Sequence, residues 1–152
     1  EMVNVDKAEA DDAFKKCKQT ILDKCLIEKG FVKYKTNAYV RKNKLDVLEY
    51  IDLQKERYGS KTFTVNYAIM PLYVPHDYLV TGFGGRLGML ICDKDIWWDY
   101  VNEAIAQISF QNVADAIDRF VLPWFNRYAN EEVLKKKLLE DKQKKEQTKF
   151  KK

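Results

Sequence analysis

The sequence predicts an α+β fold: an antiparallel sheet of five or six strands, with a long N-terminal helix and C-terminal helices packed on one face. Three observations carry this. Residues 44–70 (KLDVLEYIDLQKERYGSKTFTVNYAIM) hold two runs rich in β-branched and aromatic residues around Tyr58-Gly59-Ser60, the pattern of a β-hairpin. A helical apolar rhythm precedes that hairpin and another follows well after it. Strand–helix–strand alternation is missing, which argues against a doubly wound sheet.

The spacing predicts the first helix over Asp6 to Lys29. Asp6 and Glu9 have the spacing of a capping box with Asp in the cap position, and Glu9, Asp11 and Asp12 suit the positive end of the helix dipole. Ala10, Phe14, Cys17, Ile21 and Cys25 form an apolar stripe that Leu22 and Leu26 widen. Gly30 is placed to end the helix in the left-handed conformation. Two short strands follow, Phe31 to Lys35 and Ala38 to Lys42, around Thr36-Asn37. Their Lys33, Lys35, Arg41 and Lys42 read as the solvated charges of a sheet edge. A nucleic-acid ribbon is disfavoured there, because only Tyr34 and Tyr39 interleave with the charges.

In the hairpin, Phe63, Val65, Tyr67 and Ile69 alternate with Thr64, Asn66, Ala68 and Met70, and the first set faces the core. On the other strand, Val47, Ile51 and Leu53 share a face with Glu49, while Leu48 and Tyr50 share one with Asp52, Gln54 and Glu56. Pro71 ends the pairing, since it has no N–H to donate.

The second half offers motifs that fail inspection. Gly82 to Gly88 is not a dinucleotide fingerprint, because position 87 is Leu, and no Gly-Lys-Ser/Thr follows. It reads as a flexible approach into a strand over Met89-Leu90-Ile91-Cys92. Asp93-Lys94-Asp95 lacks the glycine and closing Glu of a calcium loop. His76, the sole histidine, lies beside Asp77 without a set of metal ligands or a nucleophile and reads as a loop residue. Trp97 and Trp98 point to opposite faces if the segment is a strand, leaving one for the core and one exposed; in a helix they sit about 100° apart and both can be buried. A second helix is predicted from Phe110 toward Ala129, capped by Ser109 and kinked or restarted at Pro123. Asn130-Glu131-Glu132 opens a third, so residues 1–130 form one domain and 131–152 a lysine-rich helical extension.

Charge has a location. The chain carries 27 basic and 23 acidic residues, and the whole net charge of +4 falls in residues 131–152. The body is balanced, which argues against a nucleic-acid face on it. Three cysteines without framework spacing read as reduced thiols, with Cys17 and Cys25 buried, and the expected location is cytoplasmic. No run approaches the length of a membrane span, and EMVNVDKAEADD lacks the apolar core of a leader. Because residue 1 is Glu, an earlier start stays open.

The run IDLQKERYGSKTFTVNYAI, the Arg86-Leu87-Gly88 element, the Trp97-Trp98 pair, the Gly30-Phe31 helix exit and Leu122-Pro123-Trp124-Phe125 together resemble a bacterial family, domain of unknown function 4304, over roughly residues 13–130. The resemblance implies an α+β domain of small bacterial proteins and supplies no activity.

Two function classes follow. The first is a non-catalytic binding or protein-interaction module whose partner is another protein. The second is a small-molecule-binding protein or enzyme with a polar site on the open sheet face. The first is favoured by the lack of catalytic groups and by the aromatic and arginine residues of the second half. The candidate ligand or partner residues are Gln54, Arg57, Asn66, Arg86, Trp97 and Trp98. No catalytic residue, metal or cofactor is called for, and the sequence does not fix the oligomeric state.

Overall fold

The computed structural model describes residues 2–72 and 82–150, with backbone alone for 2–5, 145 and 148–150. Two helical rods and a basic helix cover one face of a six-stranded antiparallel sheet. The first rod is α1 (Met2–Cys17), a π-helical segment (Lys18–Asp23) and α2 (Lys24–Glu28). The sheet follows as β1 (Val32–Lys35), β2 (Ala38–Lys42), β3 (Val47–Lys55), β4 (Thr62–Pro71), β5 (Phe83–Arg86) and β6 (Trp98–Asp99). Between β5 and β6 sits α3 (Leu87–Cys92). The second rod is α4 (Glu103–Ala116), a π-helical segment (Ile117–Val121) and α5 (Leu122–Arg127), and α6 (Glu131–Phe150) closes the described chain.

The first helix starts at Met2, ahead of the predicted cap at Asp6, so Asp6 lies inside it. Its apolar stripe also changes track. Ala10, Phe14 and Cys17 are buried, but then Leu22 and Leu26 are, while Ile21 and Cys25 are only half-buried. The π segment is the reason. Its i→i+5 bonding inserts an extra residue into the helical repeat and turns Lys18, Leu22 and Asp23 toward the sheet. Gly30 ends the rod as predicted, at φ +93°, with Phe31 N–H donating to Leu26 O at 2.9 Å and Gly30 N–H to Ile27 O at 3.0 Å. That is a Schellman pair of bonds, and it delivers Phe31 into the core.

The sheet order is β1-β2-β3-β4-β5, and β6 shares with β5 the outer edge of β4. The β3–β4 register sets Ile51 opposite Tyr67 and Leu53 opposite Val65 on the core face, with Asp52 opposite Asn66 on the other. Both periodicity readings of the hairpin hold in this register. The lysine-edge reading holds only in part. Lys33 pairs with buried Asp23 at 2.5 Å, and Arg41 pairs with buried Glu49 at 2.6 Å while lying over the Phe31 ring. Both side chains point to the helical side, where the carboxylates they neutralise are out of water.

The Gly82–Gly88 run departs from its prediction. Strand and helix are exchanged: Phe83–Arg86 is the strand, and Leu87–Cys92 is helical. A Cβ on Gly84 would stand 1.9 Å from Tyr67 O and 2.6 Å from the Ala68 Cα. Gly84 is there because β5 approaches β4 too closely at that position for a side chain. Gly84→Ala therefore forces β5 off β4 and costs about 1–3 kcal/mol by urea denaturation. Gly85→Ala, whose Cβ meets nothing nearer than the Tyr67 hydroxyl at 3.5 Å, serves as the control. Equal losses in the two variants would refute the close-approach explanation.

The second rod begins at Glu103, capped by Asn102, whose Oδ1 accepts from Ile105 N–H at 2.9 Å. Ser109 is not a cap. It sits inside α4 and donates to Asp99 O at 2.6 Å. Exposed Ile105 and Ile108 break the apolar rhythm of the first turns and hide the true start. Pro123 lies in the first turn of α5, directly after a π segment in which Leu122 N–H reaches back to Ile117 O. The helix thus restarts at the proline, whose ring cannot continue an ordinary ladder. Asn130 caps α6 by accepting from Val133 N–H, and Leu134 and Leu138 hold its first turns to the core.

The core is aromatic. Phe14, Phe63, Phe110 and Tyr100 form one cluster, with Phe63 stacked on Phe110 at 4.8 Å between centroids. Trp124 meets Tyr67, Phe83 and Tyr128 in a second cluster over the β4–β5 end. Cys17 is buried, Cys25 half-buried and Cys92 exposed, and all three thiols are free, so the expectation of a buried Cys25 is corrected. Among the described residues no helix is long and apolar enough to cross a membrane. His76 lies outside the described residues.

Candidate functional site: the open sheet face

Strand alternation divides the face away from the helices into two zones. Val32, Val40, Tyr50, Ala68 and Gly84 align across β1 to β5 in one row. Leu48 and Met70 extend this zone on one side. Val32 is 60% exposed, and Val40, Leu48, Tyr50, Ala68 and Met70 are half-buried. The next row is polar: Asp52, Asn66 and Arg86 sit opposite one another, with Gln54 at the adjacent position on β3.

The polar side chains of β3 and β4 satisfy one another. Asn66 Nδ2 donates to Asp52 Oδ1 at 2.7 Å and to Gln54 Oε1 at 3.1 Å. The Tyr50 hydroxyl donates to Asp52 Oδ2 at 3.1 Å. Burial, and after it the Asp52 carboxylate, push the Tyr50 phenol up to about 12, so it stays protonated and keeps donating at neutral pH. Arg86 turns the other way. Its Nη1 donates to Asp95 at 2.9 Å, and its guanidinium lies 5.4 Å from the centre of the Trp97 ring. The Arg86–Asp95 pair is half-exposed, so its role is positional more than energetic.

The 93–97 segment reaches this face by identifiable contacts. Asp93 ends α3 in the left-handed region at φ 60°. The Thr64 hydroxyl then donates to Ile96 O at 2.9 Å, and Trp98 pairs with Phe63 in the short β6 ladder. These anchors set Trp97 on the open face and turn Trp98 inward, 6.1 Å from the Phe63 ring. Opposite faces for the two tryptophans are what strand geometry predicts.

The structure thus brings together four of the six predicted residues: Gln54, Asn66, Arg86 and Trp97. Trp98 belongs to the core side. Arg57 lies exposed in the β3–β4 turn and makes no hydrogen bond or ion pair among the described residues. The turn is organised instead by Glu56, whose carboxylate accepts from Tyr58 N–H at 2.7 Å and Ser60 N–H at 2.9 Å. Backbone donors, that of Ser60 first, hold the Glu56 carboxyl below its usual range. Sequence reasoning missed Tyr50, Asp52 and Asp95. The first two share strand parity with Gln54, so the signal was present; Asp95 needed the tertiary path of its loop. No group of three or more metal-ligating side chains comes together among the described residues.

The combination of hairpin, helix exit and tryptophan pair now meets an independent finding. The model of a family described as Domain of unknown function (DUF4304) matches residues 22–127, more than half of the chain. The chain belongs to the DUF4304 family. No curated protein and no solved structure matches it. In this DUF4304 domain the matched span runs from Leu22 in the first rod to Arg127 at the end of α5. It therefore contains the entire sheet and every open-face residue named above. The first rod up to Ile21 and all of α6 lie outside it.

Proposed function

We propose that this domain is a non-catalytic binding module that engages another protein through its open sheet face. The observation that carries the reading is the pairing of the two zones. A half-exposed apolar row, Val32–Val40–Tyr50–Ala68, lies beside a polar row ending in an Arg86-stacked Trp97. Protein interfaces combine an apolar centre with a polar margin, and Trp, Tyr and Arg dominate their energetics. Of the described chain, the 93–97 segment reaches this face, at Thr64 and Arg86. The mutual satisfaction of Asp52, Asn66, Gln54 and Tyr50 favours a preorganised surface over a ligand pocket. We place the module in the cytoplasm, a setting that suits three free thiols.

The test is affinity capture from the source organism with tagged native chain, Trp97→Ala and Arg57→Ala. A partner held by the native chain should be lost with Trp97→Ala, by about 2 kcal/mol or more in a follow-up titration. Arg57→Ala should retain it. Retention by Trp97→Ala, or loss with Arg57→Ala alone, would count against the open face as the binding surface.

A further inference from the structure

We propose that the cleft between the first helical rod and the β1–β2 hairpin binds the phosphate groups of a small phosphorylated ligand. This goes beyond the open face and does not depend on it. The cleft is open to solvent and measures about 560 Å³, within the range of small-molecule sites. Five lysines line it, Lys15, Lys18, Lys33, Lys35 and Lys55, against a single carboxylate, Asp11. Lys55 is neutralised by Asp11 at 3.0 Å, and Lys33 by Asp23 at 2.5 Å. Lys15, Lys18 and Lys35 have no carboxylate at salt-bridge distance among the described residues. Residues 1–130 are balanced overall, so this concentration is local.

Lys18 shows that the cleft is built. It is only 4% exposed, rare for a lysine without a paired carboxylate. The π segment that begins at Lys18 turns it under the hairpin, where its ammonium donates to Thr36 O and to Asn37 Oδ1 at 3.2 Å. Two of its three donors are thereby used, and the third is left for a ligand. Burial pulls this ammonium below its usual value, the Asp23 carboxylate opposes that pull, and the neighbouring charges of Lys33, Lys55 and Lys15 add to it. Gathering like charges around one cavity costs free energy, and a polyanion bound among them relieves it. Lysine suits phosphate as a compact point charge with rotatable donors. A nucleic-acid strand would call for a groove that follows its backbone, with bases stacked in succession. Here the uncompensated lysines converge on one cavity.

Inorganic tripolyphosphate is the probe, titrated calorimetrically into the full chain at moderate salt. Native chain should bind it at one site, and the ligand should raise the melting temperature. The double variant Lys15→Gln/Lys35→Gln changes exposed side chains and should melt like the native chain in the absence of ligand. It should weaken binding about tenfold or more. Lys135→Gln/Lys136→Gln removes the same charge from α6 and should leave the affinity unchanged. Absence of binding, or equal weakening by both double variants, would overturn the assignment. So would affinity for labelled single-stranded DNA that rises with its length and exceeds that for tripolyphosphate.

Discussion

Phe63→Ala should cost about 3–5 kcal/mol of folding free energy, the range for truncating a buried aromatic. Phe63 is fully buried at the crossing of sheet and helices. It stacks on Phe110 of α4, meets Phe14 of α1 edge-on at 5.3 Å, and lies against Trp98 of β6 and Tyr100. Its removal opens a cavity bounded by elements distant in sequence, which cannot all close in together. Domains of this kind have about 5–15 kcal/mol to lose, so the variant should be severely destabilised. For a chain of this length the melting temperature should fall by about 6–20 °C. Urea denaturation with an unchanged slope gives the free energy directly. A loss below about 1 kcal/mol would mean that the cluster is loosely packed or can collapse.

Arg41→Ala should have an effect of similar size for a different reason. Glu49 lies on the core face of β3, 2% exposed, and Arg41 directly across the ladder neutralises it at 2.6 Å. The same guanidinium donates to Lys29 O at 2.7 Å and covers the Phe31 ring at 4.4 Å. Truncation strands a buried carboxylate, uncaps the end of the first rod and bares an aromatic face. Breaking a buried pair costs about 3–5 kcal/mol, and because Arg41 is itself partly exposed the lower end applies. The double replacement Arg41→Met with Glu49→Leu removes both charges and keeps the bulk, so it should recover most of the loss. A double-mutant cycle by urea denaturation separates these terms. If the double variant is as unstable as Arg41→Ala, the stabilisation comes from the Lys29 and Phe31 contacts and not from the ion pair.

Much of this architecture is legible because it follows from local periodicity. The core face of β4, the termination at Gly30 and the antiparallel hairpin all rest on spacing or on one residue's conformational freedom. The misplacements have separate physical causes. The first rod's stripe shifts at a π segment, and the start of α4 is masked by exposed Ile105 and Ile108. The glycine run is a strand because of how near β4 lies, which is a long-range constraint.

The candidate site divides along the same line. Gln54, Asn66 and Arg86 could be assigned to one face from alternation once the strands were known. That Trp97 joins them while Trp98 turns inward was decided by Thr64 holding Ile96 and by β6 pairing with Phe63. The lysines gave no signal of a cleft, since residues 15, 18, 33, 35 and 55 lie on four separate elements. Sequence alone therefore determined the fold class, the central hairpin with its inward faces, and the family resemblance. Only the tertiary structure determined which side chains meet, because register and helix placement are settled by burial and packing between segments far apart in the chain.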